Sequence, residues 1–254
     1  MNKLLCFVCV SLLLCSCRGK NTSSSASKTG TMVVATSSWT AAYALAAGAE
    51  NVVTLATFDM AHPSEYELRP GDIQKLTDAK IILYAGYEVM TERLKKGLNL
   101  PPEKLLDIET VYNFESIEKS VMKIAAKLGT EDVARENIQE IRRILDEGRK
   151  VMDEKRLTGQ PAVVHRFQIP IAQELGFVPV MIFGTVSPEA SDIITASKTS
   201  ASFILDNIHS PMGQPFKAVL PQARYIQWLN FPGQKGTKTL TDVIRYNISQ
   251  LIQE

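Results

Sequence analysis

Residues 61–72, AHPSEYELRPGD, place a histidine on a proline-stiffened loop between a strand-like run and a helix-like run. Pro63 restricts the backbone beside His62, and Pro70 suits the first turn of the helix that follows. The strand-like run before the loop spans residues 52–56. In open α/β sheets, ligands bind at the carboxyl ends of the strands. The stretch therefore predicts an α/β fold with His62 at its ligand-binding edge.

The same alternation of strand-like and helix-like runs extends along both halves of the chain. Unbroken apolar runs rich in β-branched residues predict parallel strands that are covered on both faces. The first half is predicted to hold strands at 32–36, 52–56 and 81–85, with helices at 40–47 and 70–77. The second half is predicted to hold strands at 162–164, 179–183, 202–205 and 225–229, with helices at 168–175, 188–197, 213–220 and 240–252.

A long helical pattern separates these halves between residues 114 and 157. Gly129 interrupts it, and Thr130 is a suitable N-cap for a second helix of about 27 residues, or roughly 40 Å. The pattern fits either an amphipathic surface helix or a rigid strut joining two lobes. With the strut, the domains are an N-terminal lobe at 32–129, a linker helix at 130–157 and a C-terminal lobe at 158–254.

The N-terminus has the pattern of a bacterial export signal. Residues 1–17, MNKLLCFVCVSLLLCSC, combine Lys3 with an apolar run that is too short to span a bilayer. The end of this segment resembles a lipobox, in which Cys17 would receive a lipid. A cleaved signal without lipid and an uncleaved anchor remain alternatives. Residues 18–31 are polar and rich in serine, which predicts a flexible tether.

Cysteine usage and charge narrow the function classes. The chain has four cysteines, of which Cys6, Cys9 and Cys15 would leave with the signal and Cys17 would carry lipid. Any metal in the folded part must therefore be held by nitrogen and oxygen ligands. Lys and Arg number 28 and Asp and Glu 27, without a basic excess, which argues against a nucleic-acid partner.

The chain has three histidines, His62, His165 and His209, and each lies beside a strand-like run. A single histidine is more often a surface or structural residue than a metal ligand. Three neutral imidazoles converging from strand ends would make most of a four-coordinate zinc site. Asp59, Asp206 or a backbone carbonyl would then hold the second ring nitrogen of each histidine.

Three segments resemble the metal-binding solute-binding proteins of ABC transporters. They are YELRPGDIQKLTDAKIILYAGYE at 66–88, VVHRF at 163–167 and DNIHSPMGQP at 206–215, and the resemblance covers about residues 32–254. It implies two α/β lobes joined by one long rigid helix, and metal ligands at His62, His165 and His209. It also implies a monomer without enzymatic activity that is lipid-anchored in the cell envelope, faces the periplasm or the exterior, and delivers a divalent metal ion to an ABC permease.

Two departures from the family pattern bear on the metal. Ser64 stands where the family has its first histidine, so that His62 is the nearest replacement. The turn at 230–233, NFPG, lacks the aspartate that the family places there. Three histidines with a water, or with a carboxylate from elsewhere, then remain, and Glu65 and Glu189 are weak candidates. Fewer carboxylates favour Zn²⁺, with Mn²⁺ or Fe²⁺ also compatible.

Two other function classes remain as alternatives. A metallohydrolase would use the same histidines with an open position for water, but the chain has no HExxH motif. A binding protein or surface adhesin for an organic ligand would leave the histidines incidental. Such a protein would line its cleft with aromatic residues, although core packing explains these side chains more simply. The aromatic candidates are Trp39, Tyr43, Tyr87 and Trp228.

Overall fold

Two parallel β-sheets form the framework of residues 31–60 and 62–252, which the computed structural model describes. The strands of the first sheet are Met32–Ala35 (β1), Asn51–Thr54 (β2), Ile81–Tyr84 (β3) and Leu105–Asp107 (β4). Those of the second sheet are Pro161–His165 (β5), Val178–Phe183 (β6), Phe203–Asn207 (β7) and Arg224–Trp228 (β8). The orders are β2-β1-β3-β4 and β6-β5-β7-β8, so both lobes have the same topology and the expected α/β class is confirmed.

Seven α-helices connect and cover these strands in the described part of the chain. They are Ser38–Ala46 (α1), Pro70–Asp78 (α2), Phe114–Leu128 (α3), Glu131–Glu154 (α4), Ile169–Glu174 (α5), Ala190–Ser197 (α6) and Leu240–Ile252 (α7). Short 3-10 helices lie at Pro63–Glu65, Pro102–Lys104, Arg166–Gln168 and Gln214–Ala218, and a π-helical turn lies at Arg93–Gly97.

Local sequence explains where the central helices begin and end. The Ser37 side chain caps α1 by accepting a hydrogen bond from the Thr40 amide at 3.3 Å. Gly129 ends α3 in the left-handed conformation, with φ 73°, which glycine adopts without steric cost. The next residue, Thr130, precedes α4, and its hydroxyl donates to the carbonyl of Ala47 rather than capping the helix.

Successive strand residues point to opposite faces of each sheet, and both faces are buried. Val33 joins an inner apolar cluster and Val34 an outer one in the first lobe. Val164 and Val163 do the same in the second lobe. Because helices cover both faces, unbroken runs of valine and isoleucine are the sequences that fit these strands.

The inner cluster is one continuous core that contains side chains from both lobes. It includes Leu83 of β3, Ile141 and Leu145 of α4, and Leu205 of β7. Helix α4 packs against α3 and α7. The helix therefore joins the lobes through buried contacts along its length.

The structure differs from the sequence-based prediction at two elements. Strand β4 was not predicted, because it has only three residues after the Pro101–Pro102 pair. The helix predicted at 213–220 is a 3-10 helix at Gln214–Ala218. Its start is fixed by the Gly213 amide, which donates to Asp206, and Pro215 has no amide to donate.

Some predicted features lie outside the described residues. These are the signal peptide at 1–17, Cys17 and all of the 18–31 tether except Thr31. Among the described helices, none combines the length and apolarity needed to cross a membrane.

Candidate ligand-binding cleft

A cleft of about 630 Å³ lies between the lobes at the carboxyl ends of the strands. Its walls come from the segments that follow β1, β2, β3 and β4 on one side, and β5, β7 and β8 on the other. This is the edge at which parallel α/β sheets bind ligands. The lining residues are Ser37, Trp39, His62, Pro63, Ser64, Ala85, Tyr87, Glu109, Thr110, Val111, Tyr112, Arg166, Phe167, Pro170, Asn207, His209, Ser210, Asn230 and Phe231.

A buried carboxylate holds one loop of the cleft in each lobe. In the first lobe Glu88 accepts hydrogen bonds from the Thr36 hydroxyl at 2.7 Å and the Ala85 amide at 2.9 Å. In the second lobe Asp206 accepts from the Gly213 amide at 2.8 Å and the Tyr225 hydroxyl at 2.6 Å. These carboxylates fix the loops after β3 and β7, which occupy equivalent places in the two sheets. Asp206 is thus committed to the loop that carries His209, and the structure gives it no hydrogen bond to a histidine ring.

His209 lies on the cleft wall with 8% of its surface exposed. The Phe231 ring stacks on its imidazole with centroids 3.6 Å apart. Its Nδ1 accepts a hydrogen bond from the Asn230 amide at 3.5 Å, and its Nε2 has no partner among the described residues. Burial, and then the charge of His62, lowers the pKa of His209 to about 4. The ring is therefore neutral at physiological pH.

His165 ends β5 and is fully buried. Its Nδ1 accepts a hydrogen bond from the Phe167 amide at 3.2 Å, and its ring contacts Phe167 and Phe183 with centroids 5.3 Å away. Burial lowers its pKa, while the negative charge of Asp206 opposes this effect and the positive charge of Arg166 adds to it. His165 is not among the residues that line the cleft.

His62 faces the cleft from the first lobe and is solvent-exposed. It immediately precedes the 3-10 helix Pro63–Glu65 and gives that helix no side-chain cap. His209 lines the same cleft from the second lobe, and the charge of His62 contributes to its lowered pKa.

The structure thus brings His62 and His209 to one cleft and leaves His165 buried beside it. Within residues 31–60 and 62–252, no three His, Cys, Asp or Glu side chains are grouped in a way that could hold a metal ion. The expectation that three imidazoles surround one ion stays a prediction. His165 ends β5 between two phenylalanine rings, and it is the one of the three that does not line the cleft.

Several cleft residues were not identified from the sequence. Glu109 lies on the wall just beyond β4, and it pairs with Lys119 at 3.4 Å. Glu109 was not identified as a strand-end residue because β4 itself was not predicted. The Oδ1 of Asn230, in the turn where the family has an aspartate, lines the cleft and has no described partner. The Glu65 and Glu189 candidates are exposed and do not line the cleft.

Aromatic residues divide between the cleft and the core. Trp39 and Tyr87 line the cleft, whereas Tyr43 and Trp228 are fully buried in the inner cluster. Trp39 lies 6.0 Å from the Phe231 ring, measured between centroids, so that an aromatic contact connects the lobes. The Nε1 of Trp39 has no described hydrogen-bond partner.

The lobes also approach each other through their backbones. Gly233, with φ 135°, lies so close to Phe58 that an added Cβ would be 2.1 Å from the Phe58 carbonyl oxygen. Phe58 belongs to the loop that leads to His62, and Gly233 belongs to the turn after β8. A side chain at position 233 would therefore separate the two walls of the cleft.

Comparisons of the sequence with protein-family models and with curated proteins find no match. Solved structures with the same fold include the solute-binding protein FpvC of Pseudomonas aeruginosa in complex with Ni²⁺, with a TM-score of 0.68 and 14% identity over 88% of this chain and 96% of that one. The Mn-bound periplasmic metal-binding protein of Candidatus Liberibacter asiaticus has a TM-score of 0.63 and 16% identity over 87% and 98%. The Cd-bound form of a periplasmic metal-binding protein from the same organism has a TM-score of 0.60 and 18% identity over 87% and 98%. The chain therefore has the two-lobed fold of the metal-binding solute-binding proteins.

Proposed function

We propose that this chain is an extracytoplasmic solute-binding lipoprotein that captures a divalent metal ion, preferentially zinc, in the interlobe cleft and delivers it to an ABC-type permease. The observation that carries the proposal is that His62 and His209, which come from opposite lobes, both line one cleft. A ligand bound by both residues would stabilise the arrangement of the lobes, which is how a carrier couples loading to its shape. Cys17 is the proposed point of lipid attachment.

Zinc is the proposed ion because neutral imidazole nitrogen suits it, whereas manganese normally takes more oxygen ligands. We propose His62, His165 and His209 as the metal ligands, with Glu109 as a nearby source of oxygen. His165 and His209 each use Nδ1 to accept a hydrogen bond from a backbone amide. Coordination through Nε2 then requires each proton to move to Nδ1, with loss of these backbone hydrogen bonds.

Calorimetric titration of the mature protein with Zn²⁺, Mn²⁺ and Ni²⁺ tests the proposal. One ion per chain and a raised melting temperature are expected, because a ligand that binds only the folded state stabilises it. H62A and H209A should each lower the affinity at least about tenfold, which corresponds to roughly 1.4 kcal/mol. E189Q is the matched control, because Glu189 is an exposed polar residue outside the cleft. The proposal is wrong if no ion binds, or if both histidine variants bind as tightly as E189Q.

A receptor for an organic ligand is the second candidate. The specific observation in its favour is the size of the cleft together with the aromatic side chains of Trp39, Tyr87 and Phe167 on its walls. Pockets of this volume commonly hold small organic molecules. Binding of an organic molecule in the presence of excess EDTA, without metal, would favour this candidate over the metal carrier.

A further inference from the structure

The cleft offers little negative charge to a divalent ion that enters without a chelator. Its charged side chains are Glu109, already paired with Lys119, and Arg166. An ion entering alone would meet neutral donors and one guanidinium, with little negative charge to offset its loss of water. Its volume of about 630 Å³ is also far larger than a single ion requires.

Hydrogen-bond directions on the second lobe add to this mismatch. A backbone amide can only donate, so the Asn230 amide identifies Nδ1 of His209 as the unprotonated nitrogen. In the neutral ring the proton is then on Nε2, which has no acceptor among the described residues. Trp39, which lines the opposite wall, has a second donor of this kind, because its Nε1–H is buried and has no acceptor among the described residues. Both groups suit an oxygen acceptor rather than a metal ion.

Arg166 supplies positive charge at the same cleft. Within residues 31–60 and 62–252 no carboxylate forms an ion pair with it. The positive charge of Arg166 also acts on the buried His165, because it contributes to the lowered pKa of that residue. A planar guanidinium is well matched to a carboxylate, which it binds through two parallel hydrogen bonds.

We propose that the cargo is a divalent metal already chelated by a small organic molecule with several carboxylates. In this form of the cargo, Nε2–H of His209 donates to a carboxylate of the chelator instead of coordinating the metal. Arg166 and Trp39 bind its other carboxylate oxygens, and the exposed imidazole of His62 completes the coordination of the metal. The chelator supplies the oxygen ligands and the negative charge that the cleft lacks. This inference rests on the proposed function and defines the form in which the metal is bound.

Citrate is the probe chelator, and its effect on zinc binding has opposite signs in the two cases. If the protein binds only free Zn²⁺, added citrate competes for the ion and lowers the apparent affinity. If it binds the chelate, equimolar zinc and citrate should bind at least about tenfold more tightly than zinc alone. Native mass spectrometry should then record a complex that contains one chain, one zinc and one citrate.

Variants that remove a charge distinguish binding of the zinc chelate from binding of zinc alone. R166Q should weaken binding of zinc citrate by about tenfold and should not weaken binding of zinc alone, since a guanidinium attracts the carboxylates of the chelator and repels a bare cation. R93Q is the control, because it removes the same charge from an exposed position outside the cleft. Tricarballylate, which has the three carboxylates without the hydroxyl and chelates weakly, tests whether the anion binds without its metal.

The outcomes distinguish this inference from the function on which it rests. Tight binding of zinc alone that citrate abolishes would overturn the chelate inference and support the metal carrier. Equal binding of tricarballylate with and without zinc would overturn it in favour of an organic-anion receptor. An absence of zinc binding in every arm would overturn the proposed function itself.

Discussion

His209 is the residue in which the cleft's chemistry and the protein's stability are coupled. The ring is stacked on Phe231, holds the Asn230 amide and is nearly enclosed. Burial is the larger cause of its low pKa and the charge of His62 the smaller. A neutral, desolvated imidazole at a ligand site is available for binding, but it makes the folded state sensitive to acid.

We therefore predict an acid-dependent loss of stability. The pKa of His209 falls from 6.5 to about 4 on folding, so the unfolded chain takes up the proton first as pH decreases. Between pH 7 and pH 5 this single group should lower the free energy of unfolding by about 2 kcal/mol. His165, whose pKa is also lowered, acts in the same direction. Urea denaturation at the two pH values measures the change.

Histidine variants identify the source of that change. H209N should remove most of the loss between pH 7 and pH 5, because no buried imidazole remains at that position. H62N alters an exposed imidazole and should leave most of the loss in place, since burial is the main cause of the shift. An identical pH response in wild type and H209N would contradict the assignment.

At the scale of residues, the rule that strand ends carry ligands predicted His62 and His209 at the ligand-binding edge, and both line the cleft. It could not indicate that His165 would lie between Phe167 and Phe183, because a strand-end position does not fix the direction of a side chain. Nor could it identify Arg166 as a cleft residue, since an arginine after a strand is usually solvated.

Helix α4 illustrates at the scale of elements how a glycine can be required by packing rather than by conformation. Gly148 is buried in α4, and a Cβ built there would lie 2.6 Å from Cδ1 of Ile248 and 2.9 Å from Cδ2 of Leu175. The glycine thus allows α7 and the end of α5 to approach the long helix. The approach joins the helix to the second lobe.

We predict that G148V lowers the free energy of unfolding by about 2 to 3 kcal/mol, because it forces added carbons into a filled core. G71V is the matched control, since Gly71 lies in α2 with open space around its Cβ position. Its effect should remain below about 1 kcal/mol, because valine meets no neighbour there and its helix propensity is no lower than that of the glycine it replaces. Chemical denaturation of both variants measures the difference, and equal losses would refute the packing argument.

Most elements could be predicted because their runs are long and apolar. Helices α3 and α4 were separated correctly at Gly129 and Thr130, where a left-handed glycine is a strong local signal. Strand β4 was not predicted, because it has only three residues and ends in a charged one. The helix predicted at 213–220 is instead the 3-10 helix Gln214–Ala218, since apolar periodicity does not distinguish the two kinds of helix over so short a run. Both depend on contacts with distant parts of the chain.

On the scale of the whole molecule, one inner core contains side chains from both sheets. Two lobes with equal topology therefore share the apolar contacts that stabilise them. Lobes that share a core are expected to unfold together, because neither retains its buried surface when the other opens. The identical strand orders are a matter of topology and do not imply independent stability.

The two tryptophans make this expectation measurable. Trp39 belongs to the first lobe and Trp228 to the second, and the chain has no others. In W228F, the fluorescence of Trp39 should report the same urea midpoint as circular dichroism of the whole chain. In W39F, the fluorescence of Trp228 should also coincide with circular dichroism. Because the comparison is made within each variant, any destabilisation by the substitution does not affect it. Separate transitions in either variant would establish that the lobes unfold independently.

The close approach of Gly233 to the Phe58 carbonyl limits how the two lobes can move apart. At this point the backbone of the turn after β8, in the second lobe, touches the backbone of the loop that leads to His62, in the first lobe. Any motion that opens the lobes on this side must separate the Gly233 backbone from the Phe58 carbonyl. Any residue other than glycine at position 233 would place its Cβ 2.1 Å from the Phe58 carbonyl oxygen, at a φ of 135° that side chains rarely adopt, and would therefore hold the lobes apart at this point.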